Sequence, residues 1–337
     1  MAKTREKTKG KIKAVALLSG GLDSTLAVKL MLNQGIDVTA LKFTSPFCMC
    51  DNKGRCYALE VSNKFKIPLK VMKKGNEYLG IVRKPKFGYG SGMNPCIDCR
   101  IYTLKKAKAY SKKIGAKFII TGEVLNQRPM SQHMRALKLI EKEAGLQGKL
   151  LRPLSAKLLP KTEAENKGWV NRDKLLAIEG RTRKPQIALA EKFAIKDYPS
   201  SGGGCLLTDK EFAKKVRDLF KHKKKVTMED MQLLKVGRHF RFGENKIIVG
   251  RNEGENNILL KLKGRSDYIF DVPNFGSPIT ILQNKKTEKA VRLSAELTAA
   301  YSDAKKDRVV VNYGSAKLSR KITVKPISRE EIDKLRV

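Results

Sequence analysis

Val15-Ala-Leu-Leu-Ser19-Gly20-Gly21-Leu22-Asp23-Ser24 decides how the first half of the chain folds. The apolar run Ala14–Leu18 reads as a fully buried strand, and it ends in Ser-Gly-Gly before Asp-Ser opens a helix. Over Ser24–Gln34 the apolar Leu26, Ala27, Leu30 and Met31 recur at helical spacing and predict an amphipathic helix. Glycines at the turn let backbone N–H groups close on an anion with no Cβ in the way. The helix start adds free N–H donors and a positive dipole end. Ser19 and Ser24 add hydroxyls. Asp23 is out of place beside an anion unless it orients the loop or holds a Mg²⁺ that bridges phosphates. An ordinary glycine turn capped by Asp23 or Ser24 would use the same residues. The coupling of buried strand, SGGxDS and helix is what points to nucleotide phosphates. The lysine-bearing GxxxxGK[ST] loop is absent.

Working outward, strands are predicted over Val38–Thr44, Pro68–Met72 and Lys117–Thr121, with helices over Tyr57–Lys66 and Ile97–Ile114. Strands alternating with helices make an α/β domain whose parallel sheet is covered on both faces. Ligands of such sheets bind at the carboxyl ends of the strands. After Cys205 the pattern changes. A basic helix over Asp209–Lys221 precedes Gly237–Leu262, where apolar and polar residues alternate around turn signals at 243–245 and 252–255. Short strands are expected over Tyr268–Val272, Ile279–Leu282, Val309–Tyr313 and Lys321–Lys325, with a helix over Lys289–Tyr301. The expected layout is a basic tail (1–12), an α/β domain with a parallel sheet (13–205) and a smaller α+β domain (206–337).

The 337 residues carry 71 Lys+Arg against 33 Asp+Glu, a formal net charge of +38. So one-sided a surface repels itself unless a polyanion covers it, and nucleic acid is the expected partner. Lysine enrichment of a heat-adapted proteome raises Glu in step, which does not happen here. No apolar run is long enough to cross a bilayer, and the N-terminus lacks the apolar core of a signal peptide, so a cytoplasmic location is expected. Three histidines make a histidine-rich zinc site a poor expectation, and six cysteines in a cytosolic chain point to metal or sulfur chemistry.

The Ser19–Ser24 loop resembles that of the PP-loop ATP pyrophosphatases, which split ATP into AMP and pyrophosphate while adenylating an oxygen. Thr121-Gly122-Glu123-x-Leu125-x-Gln127, continuing to Ser131-Gln132, together with Leu151-Arg152-Pro153-Leu154, is similar to stretches of ThiI-type 4-thiouridine synthetases. The resemblance spans roughly residues 13–195. It implies that Ser19, Gly20, Gly21, Asp23 and Ser24 hold the pyrophosphate of ATP. It also implies that Lys42 and Phe43 line the adenosine pocket, and that Arg100, Gly122 and Gln132 contact ATP. ThiI-type enzymes carry a THUMP region ahead of this domain and often a rhodanese domain behind it. Neither is evident here, so tRNA docking and sulfur delivery are expected to be arranged differently.

Cys96-Ile-Asp-Cys99 opens a predicted helix, where a thiolate is favoured, and Cys205 follows a glycine run at 202–204. A CxxC pair with a distant cysteine resembles the three-cysteine site of iron–sulfur-dependent tRNA thiolation enzymes. Three thiolates there hold a [4Fe–4S] cluster with one iron open to a sulfide. Two other readings compete: a Cys96–Cys205 redox pair with one thiol carrying a persulfide, or a structural zinc bound by Cys48, Cys50, Cys56 and a further thiol.

Val236–Asn257 is similar to the RNA-binding region of NFACT-type proteins. Phe240 and Phe242 interleaved with arginine suit base stacking, and the same alternation suits a packed strand. The expected activity is ATP-dependent thiolation of a tRNA uridine, by analogy 4-thiouridine at position 8, with Asp23, Cys96, Cys99 and Cys205 catalytic. Sulfur would come from sulfide or a persulfide carrier. Rival expectations are 2-thiouridine synthesis at the anticodon or another position, a PP-loop ligase acting on a small carboxylate or amide, and an RNA-binding protein without turnover.

Overall fold

The structure, a computed structural model, describes residues 11–49, 51–52, 55–199 and 204–337. Nearly all of the expected basic tail, Cys50 and most of the glycine run before Cys205 lie outside the described residues. The chain divides into two compact units, Met1–Thr208 and Asp209–Val337.

In the first unit the order is β1 (Lys13–Leu17), α1 (Leu22–Leu32), β2 (Asp37–Thr44), β3 (Asp51–Asn52), β4 (Arg55–Cys56), α2 (Tyr57–Phe65), β5 (Leu69–Lys73), α3 (Glu77–Arg83), α4 (Cys96–Lys113), β6 (Phe118–Thr121), α5 (Met134–Ala144), β7 (Leu150–Leu151), α6 (Glu163–Asn166) and α7 (Lys184–Lys192). Five strands form one parallel sheet in the order β5-β2-β1-β6-β7. This is the α/β architecture expected. The chain builds outward from β1 to β2 and β5, then returns to place β6 on the other side. Leu17 is in register with Leu41 of β2 and Thr121 of β6, so the strand order reverses where those carboxyl ends meet. A crevice at such a reversal is the ligand site of open α/β sheets.

Apolar layers cover both faces. Residues of α1, α2 and α7 pack on one, and those of α4 and α5 on the other. Helix α1 departs from the amphipathic expectation. Leu22, Ser24, Thr25, Leu26, Ala27, Val28, Leu30 and Met31 are all buried, because α7 packs on the side that would otherwise meet water. Helices α3, α5, α6 and α7 and the two-residue strands β3, β4 and β7 add to the elements read from the sequence.

The second unit comprises α8 (Lys210–His222), α9 (Met228–Leu233), β8 (Arg238–Phe242), β9 (Asn245–Val249), α10 (Glu253–Leu262), β10 (Tyr268–Asp271), β11 (Thr280–Gln283), α11 (Glu288–Ala300), β12 (Val309–Gly314), β13 (Arg320–Val324) and α12 (Arg329–Leu335). Its six strands make an antiparallel sheet, β13-β12-β10-β11-β9-β8. The alternation read over 237–262 holds only as far as Val249. Asn252 then accepts a bond from the Glu255 N–H at 3.0 Å, and Glu253 and Glu255 fill the first turn, so Glu253–Leu262 is helical.

Phe240 and Phe242 point to one face of that sheet. Phe240 is fully buried in the core beneath α11 and Phe242 is half-buried against it. The neighbouring arginines are engaged within the unit: Arg241 forms two bonds with Asp218 at 2.6 and 2.8 Å, and Arg238 lies 4.5 Å from the Tyr301 ring centre. The stacking role does not hold for Phe240, whose ring has no face open to a base. Phe240→Leu should therefore cost the second unit about 1 kcal/mol in denaturant unfolding while leaving RNA affinity unchanged. A selective loss of RNA binding at unchanged stability would contradict this.

Candidate active site

The carboxyl ends of β1, β2 and β6 open on a cavity of about 600 Å³. The Ser19–Ser24 loop forms one wall. Gly20 has φ +84°, and a Cβ there would lie 2.6 Å from the Ala58 nitrogen, so the start of α2 presses directly on the turn. Gly21 caps α1, and its carbonyl accepts the Thr25 N–H at 3.1 Å and the Ser24 hydroxyl at 2.8 Å. Ser24 Oγ lies 3.1 Å from Ser19 Oγ and accepts the Ser19 N–H at 3.3 Å. The loop is thus braced by its own hydroxyls, with the first N–H groups of α1 at the cavity. Asp23 Oδ2 accepts a bond from Gln127 Nε2 at 3.3 Å, while its buried Oδ1 has no partner. Burial raises the Asp23 pKa, and the Arg183 and Arg128 cations work against that rise.

Gly122 follows β6. A Cβ there would fall 2.5 Å from the Ser24 nitrogen and 2.6 Å from the Asp23 carbonyl oxygen, so the chain after β6 lies flat against the start of α1. The next residue, Glu123, is 1% exposed and joins two distant segments. Its Oε1 pairs with Arg100 Nε of α4 at 3.0 Å, and its Oε2 with Arg152 Nε at 2.9 Å. Thr121 Oγ1 donates to Oε2 at 3.1 Å, and Arg152 also pairs with Glu141. Burial disfavours the Glu123 carboxylate, yet the two guanidiniums and these hydrogen bonds hold its pKa below the usual range. The Thr-Gly-Glu and Arg-Pro-Leu stretches are therefore two sides of one buried ion bridge. Arg100 reaches the cavity with one charge partner already in place.

The opposite wall carries thiols. Cys96 and Cys99 occupy the first turn of α4, and with Cys205 they line the same cavity as Ser19, Asp23 and Ser24. Asp98 between the two thiols accepts the Lys86 and Phe87 N–H groups at 3.0 Å each, which fixes the helix start. Asn94 Nδ2 donates to Cys96 Sγ at 3.1 Å. The Met93 N–H donates to the Leu207 carbonyl at 2.8 Å and so joins the loop ahead of Cys96 to the segment after Cys205. Lys74 Nζ lies 2.9 Å from Cys99 Sγ and 4.4 Å from the centre of the buried Tyr78 ring. Burial works against a Cys99 thiolate, but the Lys74 ammonium, its hydrogen bond and that of Tyr78 outweigh it and lower the pKa. Burial pushes the Cys205 thiol up to about 12.

Phe43, Arg100, Gly122 and the buried Gln132 line the cavity, and Gln132 Oε1 has no partner. Lys42 does not. Side chains alternate along β2, so Lys42 faces away from Phe43 and places Nζ 3.0 Å from Cys56 Sγ. Cys48 forms an isolated antiparallel bridge with Cys205, so it lies with the cavity thiols while Cys56 lies with Lys42. Among the described residues no three His, Cys, Asp or Glu side chains converge as a single metal ion requires. A zinc site asks for that convergence. An iron–sulfur cluster spreads its thiolates over separate irons, and three thiols around one cavity fit that donor set.

Lys74, Arg128, Arg181 and Arg183 also line the cavity. Arg183 Nε is buried without a partner, and the fully buried Gln186 faces Asp23, where it favours the carboxylate. In a chain with 71 basic residues nothing in the sequence distinguishes these from solvated charge. If the cavity takes ATP, Arg183→Gln weakens its binding about tenfold by calorimetry, the loss expected of one charge-assisted bond. Unchanged affinity would remove Arg183 from the site.

The family model of the thiamine biosynthesis protein (ThiI) matches residues 8–158, and that of the NFACT protein RNA binding domain matches residues 237–336. A probable tRNA sulfurtransferase of Thermococcus kodakarensis is 32% identical over 129 residues, which are 36% of this chain and 31% of the relative. The match thus spans about a third of that relative's length. A 4-thiouridine synthetase solved as an RNA complex with bound ATP is 20% identical, with a TM-score of 0.40, over 66% of this chain and 52% of that one. The U34-tRNA thiolase NcsA of Methanococcus maripaludis, solved with its [4Fe-4S] cluster, is 20% identical, with a TM-score of 0.35, over 67% of this chain and 74% of that one.

Proposed function

We propose that this chain thiolates a uridine of tRNA, adenylating a carbonyl oxygen of the base with ATP and replacing it with sulfur. One observation carries the reading: a phosphate-type loop and three thiols line the same cavity. An adenylating loop alone would serve any PP-loop ligase. Thiols alone would serve any metal or redox site. Their meeting at the strand reversal fits a reaction in which an activated oxygen is exchanged for sulfur. The ThiI model matched over 8–158 and the RNA-binding model matched over 237–336 support this reading.

In this reading the first N–H groups of α1 and Arg183 hold the pyrophosphate end of ATP, with Ser19 and Ser24 keeping the turn in shape. Asp23, with one buried oxygen unpartnered, would hold a Mg²⁺ on the phosphates. The uridine oxygen attacks the α-phosphorus and pyrophosphate leaves. Sulfide sulfur then attacks the ring carbon, and the C–O bond breaks to release AMP. A [4Fe–4S] cluster, when bound by Cys96, Cys99 and Cys205, supplies an open iron for sulfide. Lys74 would balance the charge at Cys99. The basic second unit docks tRNA. Position 8, a donor that is sulfide itself or a persulfide carrier whose outer sulfur a dithiol releases as sulfide while becoming a disulfide, and a cytoplasmic location complete the proposal. No helix among the described residues is long and apolar enough to cross a membrane.

The test compares wild type with Cys99→Ala, each reconstituted anaerobically, on unmodified tRNA. Thiolated nucleoside is read by mass spectrometry and nucleotide binding by calorimetry. Cys99→Ala should keep ATP binding and lose thiouridine. Undiminished thiouridine in the variant, or pyrophosphate release indifferent to tRNA but stimulated by a small carboxylate, would overturn the proposal.

A further inference from the structure

Cys48 was grouped by sequence spacing with Cys50 and Cys56, but the fold gives it another neighbour. The Met49 N–H donates to the Gly204 carbonyl at 3.2 Å, and the Leu206 N–H donates to the Phe47 carbonyl at 2.9 Å. These two bonds flank the antiparallel bridge between Cys48 and Cys205. The two cysteines are therefore a non-hydrogen-bonded pair, the cross-strand position where Cα atoms lie only about 4.5 Å apart and side chains come closest. That spacing falls within the range a disulfide spans, roughly 4.4–6.8 Å. Both cysteines are half-buried rather than sealed in the core, and Cys48 Sγ also contacts Ser45 Oγ at 3.2 Å.

We propose that Cys48 and Cys205 form a reversible disulfide when the chain meets a peroxide with its thiols unoccupied. The Cys48 sulfur attacks the O–O bond and gives up its thiol proton to the departing hydroxide, leaving a sulfenic acid on Cys48 and releasing water. Cys205 Sγ then attacks that sulfur, the S–S bond forms, and the hydroxyl leaves with the Cys205 proton as a second water. Both sulfurs are oxidised, and the peroxide is reduced to two waters. The bond ties 47–49 to 204–206 and withdraws Cys205 from the thiols that line the cavity. Cys96 and Cys99 lie in the first turn of α4, outside the 47–49 and 204–206 pairing, and their state is read in the same digest. A dithiol reductant restores Cys205. Pairing itself does not depend on the proposed function. Only its consequence, that the oxidised chain must be reduced before a cluster can load, rests on that reading.

The test uses the full chain, reduced and free of iron, then treated with hydrogen peroxide, alkylated and digested without reductant. Because Cys48 and Cys50 share a tryptic peptide, the Cys50→Ser variant is run beside wild type. Both should yield one cross-linked species joining the Cys48 and Cys205 peptides, with loss of alkylation at Cys205. Cys48→Ser should lose the species and keep Cys205 open to label, with an unchanged thermal midpoint. A link that survives Cys48→Ser, a dominant Cys96–Cys99 disulfide, or Cys205 still fully labelled after peroxide would overturn the proposal. Iron uptake by the oxidised wild type, before and after a dithiol, then reads the consequence separately.

Discussion

Gly122→Ala should lower ATP-dependent pyrophosphate release at least about a hundredfold, the cost of displacing a reacting group by roughly an ångström. An added methyl would sit 2.5 Å from the Ser24 nitrogen and 2.6 Å from the Asp23 carbonyl oxygen. Both are backbone atoms of the α1 start, which cannot swing aside as a flexible side chain would. Something must shift, and α1, packed between the sheet and α7, has no free side to move into. The clash therefore falls on the segment 19–24, whose N–H groups are proposed to hold the pyrophosphate. Overpacking of this kind also costs stability, about 1–3 kcal/mol. Gly35→Ala separates the two effects. Gly35 has φ +77° with nothing within 4 Å of its missing Cβ, so alanine there meets only left-handed strain of about 1–2 kcal/mol. Pyrophosphate release and thermal midpoints of both variants decide the matter. Similar destabilisation with activity lost only in Gly122→Ala supports the geometry. Wild-type nucleotide affinity in Gly122→Ala would show that the loop does not bind the phosphates.

What the sequence disclosed follows from where its information lies. Ala14–Leu18, the glycine turn and the helix after it are local, so periodicity and backbone freedom place them to within a residue or two. The same holds for β2, α4 and β6, whose apolar runs end at recognisable breakers. Contacts between distant segments leave no such mark. The sequence presents Glu123 as one acid in a motif, and only the fold shows it between Arg100 and Arg152. The spacing of Cys48, Cys50 and Cys56 suggested a metal site, whereas the strand ladder turned Cys48 toward Cys205 and the alternation of β2 turned Lys42 toward Cys56. Gln127 and Gln132 came with a resemblance. What they do, steadying Asp23 and presenting an unpartnered carbonyl oxygen, depends on the turn at Asn126, whose φ is +60°. Neither glutamine role could be read from spacing.

Glu123→Ala should destabilise the first unit by about 3–5 kcal/mol, the range for removing one partner of a buried ion pair. The size comes from what is left behind. Arg152 is 3% exposed, its Nη2 already lacks a partner, and only Glu141 would remain to balance its charge. The ion bridge has no comparable cost on the other side, because Arg100 is about a third exposed and can turn to water. Glu123→Ala combined with Arg152→Met should recover much of the loss by removing the stranded cation, and a double-mutant cycle in denaturant measures that coupling. Acid titration gives an independent reading. The Glu123 pKa is lowered from an unfolded value near 4.5, so its contribution is fully present above about pH 4.5 and fades as pH falls through the folded value. Wild type and Glu123→Ala should therefore differ most near neutrality and converge in acid. A gap that stays constant from pH 7 to pH 3 would mean that Glu123 acts by packing alone, and that Arg100 and Arg152 owe their places to something else.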